Sequence, residues 1–227
     1  MTIDPAPPRD PRVPLLLLLS VTTGLVDAAS VLGLGKVFTA NMTGNIVFLG
    51  FAASGVPGFK IAPFALALAS FMIGATIAGR LARSSGDGSE RRWLIMSAIM
   101  ETILLWAAAA VALGFDVATQ SPEPRLFAII VLTGIAMGYR NATIRHLKVA
   151  DLTTTVLTLT LTGLGADSSA AMGANTNWRR RTGAVAAVFS GAAVGAYLLA
   201  HVGLFAPLAL AGALVLSATL VHVLRVR

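Results

Sequence analysis

The sequence contains no cysteine. That excludes a disulfide framework, a thiolate nucleophile and any cysteine-ligated metal, and it leaves the redox compartment unreadable. Histidine is nearly as scarce: His146, His201 and His222 have no ligand spacing between them, so no metal site and no cofactor is expected. Charge is also in short supply, with Asp, Glu, Lys and Arg making up 12% of 227 residues, where soluble domains carry about 25%. What the chain has instead is apolar surface, 56% hydrophobic residues at a mean hydropathy of +0.80, more than a soluble core absorbs. A net charge of +7 would suggest nucleic acid in a soluble protein. Here the basic residues stand in short clusters between long apolar runs, which is the pattern of membrane orientation signals, and no nucleic-acid partner is expected.

Residues 1–12 are proline-rich and polar and read as a short disordered tail. The run from Val13 is too long for a signal peptide, and its end recurs later in the chain, which a cleaved address has no reason to do. A span needs roughly 20 apolar residues. Six segments come close, at about 13–34, 61–82, 93–114, 125–143, 183–202 and 204–224. Residues 38–54 and 151–166 are shorter, threonine-rich and punctuated by glycine, and each follows a span.

Charge decides how these two are counted. Arg9 and Arg12 precede the first span, and Arg80, Arg83, Arg91 and Arg92 flank the link between the second and third. The following link, with Asp116, Glu123 and Arg125, is slightly acidic. Arg140, Arg145 and Lys148, then Arg179, Arg180 and Arg181, then Arg225 and Arg227 form further basic patches. Eight full crossings would put the arginine-rich link at 80–92 opposite the basic tail, against the positive-inside rule. If the two short segments re-enter on their own side, every arginine patch lies inside, both termini are cytoplasmic, and only Lys36 and Lys60 lie outside as isolated cations. The expected fold is therefore all-α: six transmembrane helices plus two short re-entrant or broken helices in the lipid bilayer.

An internal repeat organises these elements. Gly24-Leu25-Val26-Asp27-Ala28 returns as Gly138-Tyr139-Arg140-Asn141-Ala142, with Gly24 and Gly138 lying 114 residues apart. Thr43 and Asn45 match Thr158 and Thr160 at an offset of 115, and the small-residue stretches IGATIAGR and SGAAVGAY align Gly74 with Gly191. Two units follow, residues 13–115 and 116–227, together forming one transmembrane domain. Three crossings is an odd number, so the second unit is expected to run through the membrane in the opposite sense. Such inverted repeats are a common plan of secondary transporters, in which interrupted segments at matching positions point to the binding site.

The stretches GLVDAAS, VFTANMTGN, GYRNATIRHL and DLTTTVLT resemble the YoaK-type family of uncharacterised bacterial membrane proteins, over nearly the whole chain. The resemblance implies about six spans and a bacterial inner-membrane location. It brings no substrate. Where it leads one to expect a threonine-glycine pair in the second half, Thr158-Leu159 stands instead.

Asp27 lies about fifteen residues into the first span, roughly 22 Å along it and beyond the midplane. A carboxylate at that depth is paired, protonated or facing water, and is a functional candidate by default. The blander alternatives are a cap for the following loop or a partner for an arginine. Its repeat mate Asn141 cannot ionise. Asn41, Thr43 and Asn45 offer amides and a hydroxyl in the first short segment. Thr155, Thr158 and Thr160, with Thr153 and Thr154, offer the matching surface in the second, or else bond helices to one another. Glu101, about nine residues into its span, pairs with a buried cation or hydroxyl or carries a second proton. Arg140 and Arg145 mark the cytoplasmic boundary, or one of them meets an anionic substrate.

Several motif matches fail on context. Asn-Met-Thr at 41–43 and Asn-Ala-Thr at 141–143 have the glycosylation spacing but sit in apolar surroundings. Gly33 to Lys36 lacks the spacing of a phosphate loop. Ser190 and His201 have nothing to orient them as nucleophile and base, so no enzyme is expected. The function these residues favour is a secondary transporter or exporter of a small polar solute or ion, with its site between the two short segments. A homodimer through the small-residue faces Gly74/Gly79 or Gly191/Gly195 would suit so small a protein. A non-transporting membrane scaffold, in which the polar residues only join helices, is the alternative.

Overall fold

A computed structural model describes residues 10–84, 90–147, 157–173 and 177–225. All regular structure among the described residues is helical. Six long helices are α1 (Val13–Gly33), α3 (Ile61–Ser84), α4 (Glu90–Ala112), α5 (Glu123–Leu147), α7 (Trp178–His201) and α8 (Phe205–Arg225), and two short ones are α2 (Met42–Ala53) and α6 (Leu157–Ala166). At 1.5 Å per residue the long helices reach roughly 31 to 38 Å, enough to cross a hydrocarbon core of about 30 Å. The 12 residues of α2 and the 10 of α6 do not.

Local chemistry sets several of these limits. Pro14, Pro63 and Pro207 fall in the first turns of α1, α3 and α8, where a missing N–H leaves no bond unmade. Gly55 and Gly114, at φ of +75° and +79°, take the left-handed turn that ends α2 and α4. Two expected boundaries shift. The fourth long helix continues past residue 143 to Leu147, and the fifth begins at Trp178 rather than 183. Both differences arise where arginine was taken to end a span. In the second short segment the helix starts at Leu157, and residues 151–156 lie outside the described residues.

Inter-helix contacts give every span a direction. Arg12 at the start of α1 reaches Leu147 O at the end of α5, 3.2 Å away, and Glu90 at the start of α4, 3.7 Å away. Thr102 and Trp106 of α4 donate to Gly212 O and Ala209 O of α8, so these helices are antiparallel. Along α7, Gly183, Gly191 and Gly195 meet Leu17, Val21 and Leu25 in turn, so α7 runs parallel to α1. Gly134 and Gly138 of α5 meet Ser70 and Phe71, so α3 and α5 are parallel. Hence α1, α4 and α7 run away from the Arg12 end, while α3, α5 and α8 run towards it. Neither α2 nor α6 adds a crossing, and the count is six.

All of the described arginines except Arg125 and the deep Arg140 gather at or near the Arg12 end, among them Arg80, Arg83, Arg91, Arg92, Arg145 and Arg225. There the last residues of the expected disordered tail are tied down. Asp10 pairs with Arg12 at 3.0 Å, and the hydrogen bond from that guanidinium holds the Asp10 carboxyl below its usual range. The far end carries Lys36, Lys60 and the acidic link, where bonds from Thr119 and Ala118 hold the Asp116 carboxyl below its usual range as well.

Glycine lets the backbones close together. Gly24 of α1 lies against Val188 O of α7, and Gly191 of α7 lies against Val21 O of α1. The same pair of contacts recurs elsewhere: Gly138 of α5 lies against Phe71 O of α3, and Gly74 of α3 against Ile135 O of α5. A Cβ at any of the four would strike backbone, so only glycine permits this approach. The consequence for assembly is a correction. Gly74, Gly191 and Gly195, expected on a dimer face, are buried inside the chain. Of the six long helices α1 is the most buried and α7 the least.

Candidate functional site

The deepest charges belong to α4 and α5. Glu101 is near the middle of α4, and Arg140 stands on the face of α5 that meets α1 and α4. They form an ion pair, Arg140 being 2% and Glu101 4% exposed. A buried charge left alone in lipid is costly, and each of these neutralises the other. The remaining nitrogens of Arg140 reach α1. Its Nη1 donates to Leu19 O and to Thr23 Oγ1, each at 3.1 Å, and its Nε has no hydrogen-bond partner among the described residues. Arg140 is thus not a boundary marker. It is the polar junction of three spans, and the pairing expected of Glu101 is with it. Arg145, by contrast, is exposed in the last turn of α5.

One helical turn beyond Thr23, on the same face of α1, stands Asp27. It is buried, and its carboxylate accepts from the Ala40 N–H at 3.2 Å and from Asn41 Nδ2. These bonds draw the segment between α1 and α2 back towards the spans. The carboxylate is therefore both the anchor of a re-entrant element and a third buried charge. Two carboxylates now face one guanidinium, so the group carries a formal charge of −1 when both acids are ionised. In a bilayer that excess calls for a proton or a cation.

The other expected site residues separate into several environments. Asn45 is fully buried, and both ends of its amide are taken by Phe38: Oδ1 accepts from the Phe38 N–H at 2.9 Å, and Nδ2 donates to Phe38 O at 2.5 Å. It clamps the turn that leads into α2. Thr43 and Thr158 are exposed. Thr160 is buried and is to α6 what Asn45 is to α2, the single buried residue of its helix. Asn141 is partly buried and donates to Met137 O at 2.8 Å. Thr155, with Thr153 and Thr154, lies outside the described residues. Since α2 packs on α3 and α6 on α7, the two short helices do not build a shared site from their described residues.

What the residues build instead is a polar file along the bundle axis. A narrow cavity lies between α1, α4, α5 and α8, on the arginine-rich side of the ion pair. Its polar lining is Ser97, Thr143 and Thr219, its walls include Leu15, Leu94 and Leu147, and it ends at Glu101 and Arg140. Thr143 and Ser97 lie within hydrogen-bond distance at 3.4 Å. Beyond the ion pair come Thr23, Asp27 and Asn41. Thr39 beside them is fully buried, and its Oγ1 has no partner among the described residues. Towards the far end lies a cluster of phenylalanines, Phe38, Phe48, Phe59 and Phe64, with Lys36 seated over the Phe59 ring at 4.7 Å. Thr23, Ser97 and Thr143 were legible in principle. Each lies three or four residues from an intramembrane charge and so shares its helix face.

Comparison with known proteins agrees with this architecture. Residues 15–221 match the family model described as "Protein of unknown function (DUF1275)". The chain is 35% identical over 158 residues to the UPF0700 transmembrane protein YoaK of Bacillus subtilis (strain 168), covering 70% of this chain and 68% of that one. No solved structure matches.

Proposed function

Because the chain belongs to the DUF1275 family, whose description assigns no activity, we propose its function from the site itself: a small secondary transporter or exporter of a polar solute or ion. The observation that carries this is the buried Glu101–Arg140 pair at the blind end of a cavity, with Asp27 one turn further along the same file. A purely structural ion pair has no need of a cavity on one side and of an extra carboxylate on the other. Intramembrane ionisable groups that face one another across a polar path are the usual parts of ion and proton relays.

The repeat supports the same reading. The two glycine–carbonyl contacts joining α1 to α7 recur between α5 and α3 with matched spacing: Val21 and Ile135 are 114 residues apart, as are Gly24 and Gly138, while Phe71 and Val188 are 117 apart, as are Gly74 and Gly191. The spans of the first half run away, towards and away from the Arg12 end, and those of the second half run in the reverse order. We read this as an inverted duplication, a plan in which one half rocks against the other around a central site. We read the arginine-rich end as cytoplasmic by the positive-inside rule, with both termini inside, and propose the bacterial inner membrane as the location. The cavity then lies on the inner side of the ion pair and the phenylalanine cluster on its outer side.

The test is flux in proteoliposomes against a panel of small solutes, with and without a proton gradient. Asp27→Asn keeps the shape of the side chain but cannot ionise and retains only one of the two acceptor oxygens, so folding of the variant is checked alongside. We expect it to abolish gradient-driven flux while leaving the fold intact. Coupled flux equal to that of the parent protein would remove Asp27 from the mechanism.

A further inference from the structure

A guanidinium is a planar fork of donors that matches a carboxylate or another planar oxyanion. In this protein Nη2 of Arg140 holds one oxygen of Glu101, Nη1 is taken by Leu19 O and Thr23, and Nε has no partner among the described residues although the residue is buried. An unmet buried donor is costly. The cavity beside this group supplies the hydroxyls of Ser97, Thr143 and Thr219 between aliphatic walls. The end of the bundle from which it descends carries exposed Arg91, Arg92 and Arg145, which raise the local concentration of anions. The unpartnered donor and the arginines at that end favour an anion, and the excess negative charge of the Glu101–Arg140–Asp27 group does not grow when one binds, because a proton enters with it.

We propose that Arg140 is the receptor for a small planar monoanion, of the size of nitrate or formate, which enters from the arginine-rich end and takes the place now held by the Glu101 carboxylate. The inference rests on the proposed function of the same site and names its substrate class. Displaced from its partner, Glu101 cannot stay ionised among aliphatic side chains, so it binds one proton as the anion binds. The exchange conserves charge, since one anion and one proton enter and the guanidinium remains. The groups facing Glu101 are consistent with this. Arg140 comes from α5, while α8 presents only Val215 and Thr219 at that level. The other titratable groups near the pair and along the arginine-rich side of these spans are Asp27 of α1, beyond the pair, Tyr139 of α5, buried and bonded to Ser97, Glu90 at the start of α4, and His146 and His222 towards the ends of α5 and α8, besides the arginines already named.

The experiment is thermal stabilisation of the purified full chain by sodium nitrate, with sodium gluconate at equal ionic strength as an anion too large for the cavity. Nitrate should stabilise saturably, and more at mildly acidic than at mildly alkaline pH. Glu101→Gln, which frees the fork, should bind nitrate about tenfold more tightly at alkaline pH and lose the pH dependence. Nitrate indistinguishable from gluconate, in the wild type and in folded Glu101→Gln, overturns the assignment. If that variant does not fold, the wild-type comparison decides alone. The two proposals fail separately. Flux of a cation or neutral solute without nitrate binding removes the anion site and keeps transport, and nitrate binding without any flux does the reverse.

Discussion

At the scale of single residues, Arg140 and Glu101 carry the largest energetic stake in the protein. Removing either one leaves the other buried and uncompensated, which costs about 3 to 5 kcal/mol, whereas replacing both by apolar residues of similar volume is close to neutral. Unfolding in detergent should therefore show Arg140→Met and Glu101→Met each strongly destabilised and the double variant restored. Simple additivity of the two losses would mean that the pair is not coupled as described. Asn45 makes a more local contribution. Its amide serves both polar atoms of the Phe38 backbone, so Asn45→Ala should cost about 1 to 3 kcal/mol and speed hydrogen exchange at residues 38–41. The partly buried Asp10–Arg12 pair is worth less, about 0.2 to 1 kcal/mol. Because pairing lowers the folded-state pKa of Asp10, its contribution is present above the unfolded value and disappears as pH falls through the folded one. Asp10→Asn should then be mildly destabilising at neutral pH and neutral in acid.

At the scale of elements, glycine decides which helices can touch. Gly24→Ala and Gly138→Ala would each drive a methyl group into the backbone of a neighbouring span, and a cost of about 1 to 3 kcal/mol is expected for each. Gly50 and Gly165 have open space around them. Alanine there should be neutral or should stabilise α2 and α6 by up to about 1 kcal/mol, since it is the better helix former. The elements were largely legible in the sequence, because six runs of sufficient length and the bias of arginine to one end leave one consistent count. Two boundaries were not legible, and the reason is physical. By sequence Arg140 is either a cytoplasmic marker, since charge normally ends a span, or a contact for an anion, and its burial depends on Glu101, which is 39 residues away and pairs with it only through tertiary packing. The same limit applies to the site. Asp27 and Asn41 stand out by depth and motif, and the structure joins them. Asn45 stands out equally but is spent on the Phe38 backbone, a distinction that composition and spacing do not make.

At the scale of the whole molecule, the absence of cysteine makes the topology directly measurable, since any introduced thiol is unique. Ser54→Cys and Ser121→Cys should be labelled from one side of the membrane by an impermeant reagent, and Ser84→Cys from the other. Labelling of Ser54 on the side of Ser84 would mean that α2 crosses, and the six-span arrangement would fall with it. The central claim is that the buried polar file is a path opened alternately from the two ends. Its most direct test uses two single cysteines in place of residues on either side of the charged group, Thr143→Cys towards the arginine-rich end and Thr39→Cys towards the other, with modification rates measured as the proton gradient is reversed. Alternating access requires the two rates to change reciprocally, one rising as the other falls. Rates that stay fixed, with neither position ever reached by the reagent, would contradict it and leave the buried charges as structural joints of a membrane scaffold.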